Sequence, residues 1–167
     1  MKVIVGMDSF KGSLPSVDAN QAVENGIKQV FPDAVVKSFA MADGGEGTAE
    51  TLVDGMNGSL VEMTVTGPLG TPIEASYGLI KDESLAIIEV ASACGLTLLS
   101  KAQLNPLMTT TYGVGELINH AFNNGARKFI IGLGGSSTND GGVGMLQAMG
   151  YEFQDSDGNE VAFGGGS

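Results

Sequence analysis

The sequence holds one cysteine, one histidine and only eight lysines and arginines among 167 residues. A single cysteine, Cys94, excludes an internal disulfide framework and any cysteine-rich zinc site, and it suits a reducing cytosol. Its context, VASACGL, is apolar, so a buried and inert thiol is expected. His120 has no second histidine to share a metal with and reads as structural or solvent-facing. The formal net charge is −11, and a chain this acidic lacks the basic surface that nucleic acid requires. Nor does that charge steer anionic substrates, so any ATP site here relies on Mg²⁺ and local dipoles. No apolar run approaches the ~20 residues that span a bilayer. The N-terminal MKVIVGMDSF passes straight into a strand-like run instead of resembling a signal peptide. The expectation is a cytoplasmic protein that binds neither membrane nor nucleic acid.

Two nucleotide-binding templates are also missing. There is no G-x-x-x-x-G-K-[ST] and no correctly spaced G-x-G-x-x-G. What the chain has instead is FIIGLGGSSTNDGGVGMLQAMG, from Phe129 to Gly150. An apolar, β-branched run leads into glycines interleaved with Ser136, Ser137, Thr138, Asn139 and Asp140, and then into a short helix ending at Gly150. A glycine-rich turn from strand to helix lets backbone N–H groups converge on an anion, and its missing Cβ atoms allow close approach. Such turns also occur simply to pack a helix closely on a sheet. The hydroxyls and Asn139 can add hydrogen bonds, and Asp140 is a candidate ligand for Mg²⁺.

With 43% hydrophobic and 16% charged residues the composition is globular. Lys2–Met7 reads as a strand buried on both faces, delivering DSFKGS at its carboxyl end, where α/β sheets bind ligands. Lys11 and Ser13 are candidate anion contacts there, and Asp8 a metal or proton contact. Ser16 should cap a helix with Ala19, Val23, Ile27 and Val30 as its apolar stripe, ended by Pro32. Val35–Ala40 is a second strand, and it delivers DGGEGT, with Asp43 and Glu46 among glycines before another helix. Carboxylates there imply a cation, an acid–base task or a helix cap. From Ser59 the apolar period becomes two, giving an antiparallel meander and a domain boundary near Gly58. Thr109 to Tyr112 precede a helix through Leu117, Ile118, Ala121 and Phe122, so Thr110 and Thr111 are candidate anion or cap residues. A hairpin should turn at Asp157-Gly158, and the terminal FGGGS supplies no closing element, as in a chain cut short.

Five segments, DSFKGS, ADGGEGT, TGPLG, NPLMTTTYGVGELI and GLGGSSTNDGGVGMLQA, together resemble the bacterial glycerate kinase family in order and spacing. That resemblance implies an α/β fold with two parts. Residues 1–58 would begin a flavodoxin- or Rossmann-like parallel-sheet domain, completed by a C-terminal segment missing here. Residues 59–167 would form part of an inserted, mixed α/β domain carrying the meander, with the active site in the cleft between the two. The implied activity is transfer of the γ-phosphoryl group of ATP to a hydroxyl of D-glycerate, with Mg²⁺. Under it, Gly134, Gly135, Ser136, Ser137, Thr138 and Asn139, with the helix that follows, hold phosphoryl oxygens. Asp8, Ser9, Ser13, Thr110 and Thr111 are further substrate or phosphate contacts. Lys11 pairs with the glycerate carboxylate or the moving phosphoryl group. Asp43 or Asp140 orients or deprotonates the attacking hydroxyl, and the other, with Glu46, holds Mg²⁺. A non-catalytic nucleotide- or phosphate-binding module is the alternative; a dinucleotide-dependent oxidoreductase is disfavoured by the missing fingerprint.

Overall fold

A computed structural model describes residues 1–10 and 13–167. The chain divides into two compact units, residues 1–43 and 44–167. In the first, β1 (Lys2–Met7) and β2 (Val35–Ala40) pair in parallel, joined through α1 (Ser16–Val30). A parallel pair needs a crossover, and α1 supplies it, although of its expected stripe only Ala19 is buried, with Val23 37% and Val30 69% exposed. Here β1 departs from the expected two-sided burial: Val5 is buried, but Ile4 is 76% exposed. Within this unit α1 packs on the sheet, on the face that holds Val5.

The second unit is a four-stranded sheet in the order β3 (Ser59–Thr66), β4 (Pro72–Ile80), β5 (Leu85–Glu89), β6 (Lys128–Gly132). The first three strands form the expected antiparallel meander, and β6 joins β5 in parallel. On one face lie α3 (Val90–Cys94) and α4 (Tyr112–Asn123), sealing a core of Tyr77, Ile88, Val114 and Leu117. The buried Tyr77 hydroxyl hydrogen-bonds His120 Nδ1 at 3.1 Å, which makes that histidine structural. On the other face α2 (Thr48–Gly55) places Ala49 and Val53 against Ile80, Leu85 and Ile87. Gly78 makes this approach possible, since a Cβ there would lie 2.5 Å from Val53 Cγ2. That packing explains why the units divide after Asp43, earlier than the expected boundary at Gly58: α2 buries its stripe on the meander's sheet.

The last short helix, α5 (Val143–Ala148), follows the glycine-rich loop and stops at Gly150, whose φ of 93° is the left-handed conformation of a helix end. Residues 151–161 turn back at Gly158 with a single bridge, Gln154 to Glu160, a narrower hairpin than expected. The terminal glycines pack closely on the loop before α4 and on the glycine-rich loop. A Cβ on Gly164 would lie 2.3 Å from Leu107 O, and one on Gly165 2.3 Å from Asn139 O. Among the described residues no helix is long and apolar enough to cross a membrane.

Candidate functional site

In the first unit, Ser16 sits in the first turn of α1 and fastens two strand ends instead of capping through its side chain. Its buried Oγ donates to Met7 O at 2.7 Å and accepts the Met41 N–H at 3.0 Å. Asn20 adds a second tie, accepting the Met7 N–H at 3.0 Å and donating to Met7 O at 3.2 Å. The chain therefore leaves both strands from a fixed edge. Beyond it Asp8, Ser13 and Asp43 are exposed, and Asp8 Oδ1 accepts the Ser9 N–H at 2.7 Å. Lys11 lies outside the described residues.

In the second unit, the two glycine motifs meet directly. Gly134 N–H donates to Gly44 O at 2.9 Å. A Cβ on Gly132 would lie 2.5 Å from Gly44 O, and one on Gly134 2.8 Å from Gly45 Cα. Side chains at these positions would drive the loops apart, so these glycines serve close packing between two loops. The second loop is pinned further along. Ser137 N–H and Oγ both donate to Cys94 O at 2.9 Å, and Thr109 Oγ1 donates to Ser137 O at 2.8 Å.

Asp140, 8% exposed, ends this loop with its carboxylate fully engaged. Oδ2 accepts the Thr111 N–H and hydroxyl, both at 2.8 Å, and the Gly144 N–H at 3.2 Å. Oδ1 accepts the Gly142 N–H at 3.0 Å. Thr111 Oγ1 also accepts the Met145 N–H at 2.9 Å, and Thr110 Oγ1 accepts the Tyr112 N–H at 3.2 Å. The beginnings of α4 and α5 are thus closed by internal acceptors. This differs from the expected phosphate grip by α5: the Thr110 and Thr111 hydroxyls are buried and accept N–H groups at the helix starts. The physical reason is that Asp140 supplies the negative charge a helix N-terminus favours. Metal ligation by Asp140 does not fit these contacts, because each oxygen already accepts donors.

The groups left exposed are Asn139 and the backbone at Gly135 and Gly141, whereas the half-buried Ser136 and Thr138 hydroxyls, 2.7 Å apart, lie 3.9 and 4.0 Å from the buried Cys94 Sγ. Glu46 is exposed on the first loop and offers a carboxylate, the ligand type that Mg²⁺ takes one or two of beside substrate phosphates. Among the described residues no three histidine, cysteine or acidic side chains cluster to hold a metal. A groove of about 610 Å³ lies elsewhere, lined by Tyr112, Gln147, Tyr151, Glu152, Glu160 and Phe163, and it contains none of these outward groups.

Glu89, at the end of β5, belongs to no motif in the sequence. It is 7% exposed, and burial pushes its carboxyl above the ordinary range. Oε1 accepts the Ala49 N–H at 2.5 Å and Oε2 the Gly47 N–H at 3.3 Å. The available signal was a lone acid closing an otherwise apolar strand, LAIIE. Cys94 is as inert as its context implies, since burial pushes its thiol up to about 11. A thiol reagent at neutral pH should therefore label it only after denaturation, as followed by intact mass; fast labelling of native protein would contradict that burial.

A family model described as the glycerate kinase family matches residues 3–167. Glycerate kinase of Bacillus subtilis (strain 168) is 51% identical over 167 residues, covering 100% of this chain and 44% of that protein. Glycerate 2-kinase of Escherichia coli (strain K12) is 48% identical over 167 residues, with coverage of 100% and 44%. The crystal structure of putative glycerate kinase 2 from Salmonella typhimurium LT2 superposes with a TM-score of 0.80 at 47% identity, covering 98% of this chain and 44% of that one. The chain spans less than half the length of these relatives.

Proposed function

The chain belongs to the glycerate kinase family, and from that premise we propose that the protein transfers the γ-phosphoryl group of ATP to a hydroxyl of D-glycerate. The observation that carries this reading is the stitched pair of glycine loops, whose outer side presents the exposed Asn139 beside the half-buried Ser136 and Thr138. Phosphoryl transfer asks mainly for positioning and charge neutralisation, and such a surface supplies positioning. Ser136, Thr138 and Asn139 hydrogen-bond phosphoryl oxygens, with the backbone of Gly134 and Gly135 beneath them. Lys11 pairs with the glycerate carboxylate or the moving phosphoryl group, and Asp8, Ser9 and Ser13 are further substrate contacts. Asp43 accepts the proton of the attacking hydroxyl. The hydroxyl oxygen then bonds to the γ-phosphorus as the β–γ bridging bond breaks, leaving ADP. The Asp140 carboxylate is committed to four internal donors, which sets it aside from this role. Mg²⁺, when bound near Glu46, neutralises charge on the phosphate oxygens.

The Escherichia coli relative is called glycerate 2-kinase, which favours the 2-hydroxyl as acceptor. The test is ADP release by the protein as encoded, given Mg-ATP and D-glycerate, with the phosphoglycerate isomer identified by NMR. Glycerate-dependent release yielding 2-phosphoglycerate is expected. ATP binding without such release would replace this reading with a non-catalytic binding module. Lys11→Ala should cut turnover by about 100-fold or more while leaving the unfolding midpoint unchanged, since it removes a charge that acts on the moving phosphoryl group. Near-normal rates would remove Lys11 from the mechanism.

A further inference from the structure

We propose that Glu89 is a positioning residue for phosphoryl transfer, holding the Gly44–Gly47 loop in register against the Gly132–Gly135 loop. A carboxylate in the interior is costly unless it serves donors that need it, and Glu89 serves two at one place. It accepts the N–H groups of Gly47 and Ala49, at the start of α2. A helix start is usually capped by its own Ser, Thr, Asp or Asn. Here the cap position is Gly47, at φ 88° and without a side chain. The nearest hydroxyl, Thr48 Oγ1, instead accepts the Gly44 N–H at 3.1 Å. The capping task has passed to a side chain forty residues further along, on the sheet itself.

That placement has a mechanical consequence. In the β5–β6 ladder Glu89 is the partner of Gly132, the residue from which the second loop departs. Gly132 and Gly134 in turn pack on Gly44 and Gly45. Glu89 thus fastens the rear of the first loop to the strand pair that launches the second. The first loop carries Glu46 and directly follows Asp43 in the chain, so its placement bears on both proposed roles. Glu46 and Glu50 are the neighbouring charges, and both repel a carboxylate at Glu89. An acid retained against that repulsion is there for the geometry it imposes.

The inference rests on the kinase reading for its catalytic consequence, but not for the contact itself. The experiment compares Glu89→Gln and Glu89→Asp with wild type in the protein as encoded. It measures kcat, KM for both substrates, and amide hydrogen exchange at Gly47 and Ala49. In Glu89→Gln the amide oxygen can still accept from Ala49, whereas its NH₂ group confronts the Gly47 N–H. Loss of a charged acceptor predicts a fall in kcat of about 10- to 100-fold, with KM within about threefold. Exchange at Gly47 should quicken by about tenfold or more while β5 and β6 amides keep wild-type protection. Glu89→Asp, one methylene shorter, should quicken Gly47 similarly, and it carries the test if the glutamine variant does not fold. Wild-type exchange at Gly47 in a folded variant overturns the proposal. So does quickening spread evenly over the sheet with kcat intact per folded molecule. A wild-type protein that lacks glycerate-dependent turnover would remove the kinase reading, while the Gly47 exchange would still decide whether Glu89 holds the loop.

Discussion

Asp140→Ala is expected to destabilise the protein by about 3 kcal/mol or more and to abolish turnover, with or without Mg²⁺. The carboxylate accepts from Thr111 twice, from Gly142 and from Gly144, and the residue is 8% exposed. Each buried donor left without an acceptor costs roughly 1–3 kcal/mol, and the four share one site, so their costs do not simply add. Water cannot easily replace the carboxylate, because Gly144 is wedged against it: a Cβ there would lie 2.2 Å from Thr110 Oγ1 and 2.9 Å from Asp140 Oδ2. Asp140→Asn should recover part of the stability, because one oxygen remains to accept while its NH₂ group faces donors. A role as metal ligand makes a different forecast. In that case both variants would stay near wild-type stability and lose activity that raised Mg²⁺ restores. Chemical denaturation in the presence and absence of Mg²⁺, beside kinetic titration with the metal, separates the two.

Gly132→Ala is expected to lower turnover by about 100-fold and stability by about 1–3 kcal/mol. The added methyl would lie 2.5 Å from Gly44 O and 3.0 Å from Gly44 C, both backbone atoms that no rotamer change can move aside. Overpacking of this kind costs about 1–3 kcal/mol. Relief requires the two loops to separate by the better part of an ångström, and a misplacement of about 1 Å can cost about 100-fold in rate. Backbone freedom is not the issue, because Gly132 is not among the positive-φ glycines. The control is Gly26→Ala on α1, where a Cβ meets nothing within 4 Å. That change should leave turnover unaltered and stabilise by about 0.5–1 kcal/mol through helix propensity. Thermal unfolding and steady-state kinetics on the pair provide the comparison. Equal turnover in the two variants would show that loop contact at Gly132 has no bearing on catalysis.

Much of the framework was legible from local pattern alone. The spans of β1, α1 and β2 follow from apolar runs and a 3.6-residue stripe, and Pro32 lies just beyond the end of α1. The meander follows from alternation after Ser59, and Gly150 ends α5 as its position implies. The glycine motifs marked where the loops would be. Exposure was less legible: Ile4 belongs to an apolar run, yet it lies on the face that α1 leaves uncovered. The boundary after Asp43 was also hidden, because the stripe on α2 does not announce which sheet receives it.

The sequence by itself determined residue types, periods and turns, and hence the order of strands, helices and glycine loops. Tertiary structure alone decided what each carboxylate does. Asp140 and Glu89 are chemically alike in the sequence to the exposed Asp43 and Glu46. Yet Thr111 lies 29 residues from Asp140, and Ala49 lies 40 from Glu89. A carboxylate becomes a ligand, a base or a fastening according to the donors that meet it, and folding chooses those donors from distant parts of the chain.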